Sequence, residues 1–461
     1  MWNRVNILGF FAFFSCSVGP QYVAPETPVT TGWKNELPHL ADEQCPKNWW
    51  QIFHDEQLSV FIEQAICSNP SLQAMAERVQ QGRSFAKVAY SRLFPQLNID
   101  PSISNTELRT HSFGSTSQIQ PTLIKNHIDE YNLPLTLVYE LDFWGKWKNQ
   151  YKSAQFKWES DQYRYQTAVL LLTTDLANAY FQLRIQDAKI EIYKDVLMVQ
   201  KKILGIQDSR YETQLINFSN VAQSSSDYSM IESLYFDCFR KRSLFENQIA
   251  VLIGVSPSEF KLASTPLTLN PPMIPVDLPA NVLLRRPDLA EQERMMASLH
   301  AEINVAYASF FPSADIVGGI NFLSNNFIQT LKNQWFIGGN LLEVLIDAGE
   351  RSANIDLKTA VYKEALFTYQ QKVLGAFQEV EDSISSIKWV MNELTSVDRA
   401  ISAKEIAYKI AMDRYQYGLD NFLNVAVDEK EKLDQKLSWL HLLSQQYIYT
   451  LHLIKAMGGG W

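Results

Sequence analysis

The chain repeats itself, and the repeat limits what it can fold into. Residues 210–222 read RYETQLINFSNVA and residues 414–426 read RYQYGLDNFLNVA, with eight of thirteen positions identical at an offset of 204. Leu141 and Gly145 have partners at Leu345 and Gly349 with the same offset. Phe94-Pro95 recurs at Phe311-Pro312 with an offset of 217, so the first copy carries 13 extra residues between its Phe-Pro and its Gly. Self-similarity at a fixed offset marks a duplicated structural unit. Each copy has one order: a helix running into Phe-Pro, two strand-like segments, a Gly opening a long helix, then the RY…N…NVA segment leading into a second long helix.

The long helices follow a heptad rhythm. Leu172, Leu176, Ala179, Leu183, Gln186, Ile190, Tyr193 and Leu197 step by four and three. Val373, Phe377, Val380, Ile384, Ile387, Met391 and Leu394 do so in the second copy, and the returning helix continues through Leu433, Leu440, Tyr447 and Ile454. Such spacing predicts helices packed side by side along their length. The helices are expected over 148–206, 217–253, 350–412 and 420–456. Four strands are expected at 96–108, 130–142, 313–324 and 334–346, where apolar residues alternate, as in Tyr131, Leu133, Leu135, Leu137 and Tyr139. Each is long enough for a tilted strand to cross a bilayer. A soluble hairpin sheet shows the same alternation. If these strands enter a membrane, several chains must share one barrel, because a sheet in lipid tolerates no free edge.

The N-terminus reads as a targeting segment, with Arg4, an apolar run from Val5 to Phe14, and then Ser15-Cys16. Residues 1–15 are expected to be a lipoprotein signal peptide and Cys16 the lipidated residue; an ordinary signal peptide is the alternative. The mature chain then divides into 16–90, an extended segment with helices, 91–254, the first repeat, 255–286, a Pro-rich linker, and 287–461, the second repeat. Pro287 and Asp288 favour a helix start after the linker.

No catalytic chemistry stands out. No HExxH, GxSxG, Walker A or GxGxxG occurs, and neither the 7 His nor the 4 Cys have metal spacing. No enzyme, metal or cofactor is expected beyond the lipid on Cys16. Cys45 and Cys67 are the only nearby cysteine pair; a disulfide and simple packing both remain open. A net charge of −9 without a basic run argues against nucleic acid. Trp144, Trp147 and Trp335 suit either a membrane interface or a core.

Several motifs carry a resemblance. Residues 16–25 read CSVGPQYVAP, 49–58 WWQIFHDEQL, 91–97 SRLFPQL, 139–146 YELDFWGK and 283–291 LLRRPDLAE. With both RY…N segments, these resemble the TolC-like outer-membrane efflux proteins, in the lipoprotein branch typified by OprM and NodT. The resemblance covers essentially the whole mature chain. It implies an α+β membrane protein: a homotrimer in which each chain gives four strands to one outer-membrane β-barrel and long coiled-coil helices to a periplasmic α-barrel. It implies a passive duct for small molecules such as drugs, with a periplasmic adaptor and an inner-membrane pump as partners, outer-membrane lipid around it, and no nucleic acid. A type I protein-secretion duct and a periplasmic coiled-coil scaffold are the alternatives. By the same resemblance the RY…N turns form the periplasmic tip. Arg210, Tyr211, Arg414, Tyr415, Gly418, Asp420, Leu423 and Asp428 are then candidates for gating and adaptor contact, with Leu423 at a pore-narrowing position. Gln214 stands where the family usually carries Gly. Gly145 and Gly349 mark the change from strand to helix.

Overall fold

The structure is a computed structural model that describes residues 18–25, 32–34, 48–112, 122–265, 267, 270–274, 282, 284–324 and 332–459. Cys16, the 1–15 segment and Cys45 lie outside the described residues. Two compact units share the chain. One comprises Met1–Pro25, Gln80–Glu159 and Glu293–Leu366; the other comprises Glu26–Val79, Ser160–Gln292 and Phe367–Trp461.

The duplication is kept to the residue. Helices α3 (Lys146–Glu212) and α6 (Glu350–Gln416) each have 67 residues. Their return helices α4 (Phe218–Leu252) and α7 (Phe422–Ala456) each have 35. At 1.5 Å per residue the longer pair runs about 100 Å. Helices α2 (Pro70–Ser91) and α5 (Pro287–Ala308), both of 22 residues, lead into the two Phe-Pro pairs, and α1 is Glu56–Ser68.

The first unit carries the sheet. Its order is β1-β3-β4-β5, all antiparallel: β1 Gln96–Ile99, β3 Thr122–Leu141, β4 Ser313–Ser324 and β5 Lys332–Leu342. The strand expected at 96–108 is two pieces. The second, β2 Ser102–Ser112, follows Asp100-Pro101 and pairs with β3 on the side opposite β4. Pro101 has no N–H to give the ladder, so pairing lapses there. The sheet therefore has five strands yet is four wide. The segment expected at 334–346 stops at Leu342, because Arg351 binds the Val344 carbonyl and the Glu343 carboxylate and draws that backbone off the ladder.

Register puts most of the apolar residues on one face. Leu97, Leu137, Gly318 and Ile337 form one row across the sheet, and Ile99, Leu135, Ile320 and Trp335 the next. The other face carries Asn98, Thr136, Asp315, Asn321 and Asn340, interspersed with Val138, Val317, Leu323, Phe336 and Leu342. The apolar face is uncovered, with Leu97, Ile99, Ile320, Trp335 and Ile337 all exposed.

The second unit buries what the heptads foresee. Leu176, Ala179, Leu183, Gln186 and Ile190 are buried on α3, as are Val373, Val380, Ile384 and Ile387 on α6 and Leu440, Tyr447, Leu451 and Ile454 on α7. From Leu176 to Ala188 nearly every α3 side chain is covered. The cover comes from the WWQIF segment and α1: Phe53 packs on Phe181 at 4.9 Å, and Phe181 on Tyr447 at 4.4 Å. Asp55 caps α1 through the Leu58 N–H and accepts Tyr180 Oη at 2.7 Å.

Two charged hubs fasten the linker. Asp187 is fully buried; it accepts Arg242 Nε at 2.7 Å, Ser264 Oγ at 2.9 Å and the Thr265 N–H at 3.1 Å, with Arg184 Nη1 at 3.3 Å. Arg184 and Arg242 also hold the Ala263 and Leu262 carbonyls, so this irregular stretch is pinned to α3 and α4. Arg286, from the LLRRPDLAE motif, forks onto Asp288 and reaches Glu379 Oε2 at 2.7 Å and the Ala456 carbonyl at 3.0 Å. It thereby ties the start of α5 to α6 and to the end of α7.

Replacing Asp187 by Asn takes the carboxylate from the buried Arg184 and leaves Arg242 with only Glu246, 3.4 Å away. Thermal unfolding in detergent should show a loss of about 3–5 kcal/mol; a loss below about 1 kcal/mol would contradict the hub.

Candidate functional site

The two RY…N turns are built alike. Gly418 takes φ 72° and Gln214 takes φ 60°. The Gly418 N–H meets the Tyr415 carbonyl at 2.9 Å and the Leu419 N–H meets the Arg414 carbonyl at 2.8 Å. In the first copy Gln214 bonds Tyr211 at 2.8 Å and Leu215 bonds Arg210 at 2.8 Å. This paired pattern closes a helix with one left-handed residue. The repeated Arg and Tyr thus sit at fixed places in the cap. Gln214 adopts by force what Gly418 adopts freely.

Beyond each cap an Asn starts the return helix. Asn421 Oδ1 accepts the Asn424 N–H at 3.1 Å, whereas Asn217 makes no side-chain cap. The Tyr then meets the Phe across the turn, Tyr211 on Phe218 at 5.5 Å and Tyr415 on Phe422 at 5.2 Å, both edge-on. These Phe and Asn residues are identical in the two copies of the repeat, but identity alone assigns them no role.

At the second turn an acid stands beside the repeated arginine. Asp420 accepts the Asn421 N–H at 2.8 Å and Asn424 Nδ2 at 2.7 Å, and lies 3.5 Å from Arg414 Nε. The Asn421 N–H, then Asn424, and more weakly Arg414 hold its carboxyl below the usual range. Ile216 occupies the matching place in the first copy. Leu423 is half-buried against a cluster of Val196, Val199, Ile203, Ile231, Ala426 and Leu433, within its own chain. Asp428 lies in the second turn of α7, half-buried, where its charge adds to that of Glu431, the ion-pair partner of Lys404. The two turns are neighbours: Phe422 lines a groove of about 560 Å3 with Gly205, Ser209, Arg210 and Thr213.

The junction glycines sit in the first unit. Gly145 has φ 75° and Gly349 φ 92°, values that favour glycine. A carboxylate covers the exposed N–H groups at each helix start. Asp142 takes Trp147 and Lys148, and Asp347 takes Gly349 and Arg351. Nearby, Trp144 stacks on Phe311 at 4.5 Å and donates to the Pro312 carbonyl at 2.9 Å. The segment after Cys16 docks here too. The Val18 N–H reaches the Trp144 carbonyl at 3.3 Å, and Tyr22 donates to Glu293 Oε1 at 2.8 Å while packing edge-on against His300. Burial, then the bond to Glu293, raises the Tyr22 hydroxyl above its ordinary pKa. Among the described residues no cluster suited to a metal ion occurs.

Duplicated helical hairpins closed by matching turns, joined to an open sheet, define a class of fold. The solved Campylobacter jejuni CmeC outer membrane channel has it, with a TM-score of 0.85 at 22% identity over 97% of this chain and 95% of that one. So does the outer-membrane channel OprN, with a TM-score of 0.84 at 24% identity over 97% of this chain and 100% of that one. The architecture is that of the TolC-like outer-membrane channels. The family model described as outer membrane efflux protein matches residues 61–228 and 278–459, and the chain belongs to that family. It is a family of ducts, not of enzymes. Relatives include the pyoverdine export outer membrane protein OpmQ of Pseudomonas aeruginosa, 26% identical over 97% of this chain and 94% of its own. The cation efflux system protein CusC of Escherichia coli is also 26% identical, over 98% of this chain and 97% of its own.

The strained cap should respond to glycine. Gln214→Gly should raise hydrogen-exchange protection at 214–217 and stabilise the turn by up to about 1 kcal/mol, whereas Gly418→Ala should cost about 1–2 kcal/mol. Equal effects at both sites would contradict the φ assignment.

Proposed function

We propose that the chain is the outer-membrane exit duct of a tripartite efflux system, passively passing small molecules from a periplasmic adaptor and inner-membrane pump to the exterior. The observation that carries this reading is the open sheet: an uncovered apolar face, a more polar face behind it, and two unpaired edges. In lipid those edges must be closed by other copies. Three chains, each contributing a width of four strands, make one barrel, and α3, α4, α6 and α7 of each line a periplasmic tunnel. The docking of Val18 at the end of β3 supports an anchor at Cys16, since it brings the chain two residues past that cysteine to the helix end of the sheet. The relatives are named for pyoverdine export and cation efflux, which favours small-molecule cargo over protein secretion. Cargo choice then rests with the pump.

The tip turns are the gate and the adaptor contact. Arg414 and Asp420 stiffen one turn, and Tyr415–Phe422 and Tyr211–Phe218 brace both. In planar bilayers the double variant Arg414→Ala, Tyr415→Phe should raise single-channel conductance several-fold; unchanged conductance would sink the gate assignment.

Asp420 makes the gate acid-sensitive. Its carboxyl is held below the ordinary value of about 4, so its stabilisation is complete above that value and is lost as pH falls through the lowered one. Open probability should therefore rise on acidification below about pH 4, and Asp420→Asn should abolish that rise. A rise of equal size in the variant would assign the effect elsewhere.

A further inference from the structure

The first copy carries a charge asymmetry that the second does not. Between Glu77 and Asp100 the chain has Arg78, Arg83, Lys87 and Arg92 and no acid. Between Asp142 and Glu159 it has Lys146, Lys148, Lys152 and Lys157 and again no acid. The end of α2 lies against the start of α3, with Ala86, Ala89 and Ala154 buried together and Tyr90 and Tyr151 rings 5.1 Å apart. The two acid-free stretches therefore lie side by side, with Arg83 and Lys87 one turn apart on α2 and Lys148 and Lys152 one turn apart on α3, in a chain of net charge −9. The duplication supplies the control. The matching part of α5 has no Lys or Arg from Met295 to Ala308, and the start of α6 mixes Glu350, Asp356 and Glu364 with Arg351, Lys358 and Lys363. Helix pairing alone does not need the basic face.

Its place in the fold is specific. Gln96 pairs with Val138, Leu141 with Ala314, and Ser313 with Leu342, so α2, α3, α5 and α6 all attach at one end of the sheet. The basic face begins at that end, directly beyond the uncovered apolar rows. Arg92 lies over the Trp147 ring at 5.5 Å and Lys146 over it at 4.5 Å, an arrangement of cation and indole suited to a membrane interface. Lys146 also pairs with Glu140 at 3.1 Å. Further along, Arg83, Lys87, Tyr90, Tyr151, Gln155 and Trp158 line a groove of about 200 Å3. The indole N–H groups of Trp147 and Trp158 are buried and lack an acceptor. Lys148 and Lys152 are exposed one turn apart on the same side of α3.

We infer that this face binds the phosphate headgroups of anionic phospholipids in the periplasmic leaflet of the outer membrane. The inference rests on the membrane-embedded reading of the sheet and adds a lipid preference to it. Basic side chains close to a bilayer surface are attracted to anionic lipid, and salt screens the attraction. The groove between α2 and α3 admits a headgroup, with Arg83 and Lys87 on one wall and Trp158 on the other. In a threefold assembly the face recurs three times around the barrel's base.

The test uses the full-length protein in mild detergent, titrated with brominated phosphatidylglycerol or brominated phosphatidylcholine while quenching of Trp fluorescence is followed. The wild type should prefer phosphatidylglycerol at least tenfold in 50 mM salt and lose most of that preference in 500 mM. The variant Arg83→Gln, Lys87→Gln, Lys148→Gln, Lys152→Gln, shown by size and circular dichroism to be folded, should bind both lipids alike. Equal binding of the two lipids by the wild type would overturn the inference, as would an unchanged preference in the variant, or stronger retention by purified peptidoglycan than by phosphatidylglycerol. A protein that takes up neither lipid and stays dispersed without detergent would overturn the duct reading as well.

Discussion

The unpaired edges of the sheet are the constraint on which the rest depends. A strand edge in hydrocarbon leaves N–H and C=O groups without partners, each costing several kcal/mol. β1 and β2 form one such edge and β5 the other, and the face between them is apolar and uncovered. A chain with this sheet cannot stand alone in a membrane. In the proposed duct other copies of the chain, related by rotation, close the sheet.

The long helices answer to the same demand. Their inner seams are buried in the second unit, yet Leu234, Phe236, Leu357 and Phe367 remain exposed along α4 and α6. Such rows are costly on a lone chain and natural where another copy lies alongside. The belt of Phe53, Phe181 and Tyr447, with the hubs at Asp187 and Arg286, ties the helices of the second unit to one another and to the linker. The signature motifs prove to be structural at these points: WWQIF fills the belt and LLRRPDLAE supplies the Arg286 fork.

Much of this was legible before any coordinates. The repeat named the order of the elements, though the long helices expected at 148–206 and 350–412 prove equal at 67 residues, and the heptads named the buried seams because burial follows the 3.6-residue period. What periodicity missed was set by single side chains. Pro101 split the first strand, Arg351 cut short the last, and α3 runs to Glu212, past the end expected at 206. At the tip, the repeat named Arg210, Tyr211, Arg414 and Tyr415, but not that their carbonyls hold a left-handed residue. That depends on backbone geometry, which identity alone does not reveal. Leu423 was read from resemblance, and its half-burial against Val199 and Leu433 comes from the packing of α7 on α3.

In the proposed barrel one sheet edge meets the other only between chains. Within one chain β1 and β5 are separated by two strands, about 14 Å at the usual spacing, beyond the reach of a disulfide. With Cys45, Cys67 and Cys238 changed to Ser, cysteines placed at Leu97 or Ile99 and at Trp335 or Ile337 should oxidise in native membranes. The account predicts a covalent ladder that ends at three chains. A product that remains one chain, or a ladder that continues past three, would contradict it.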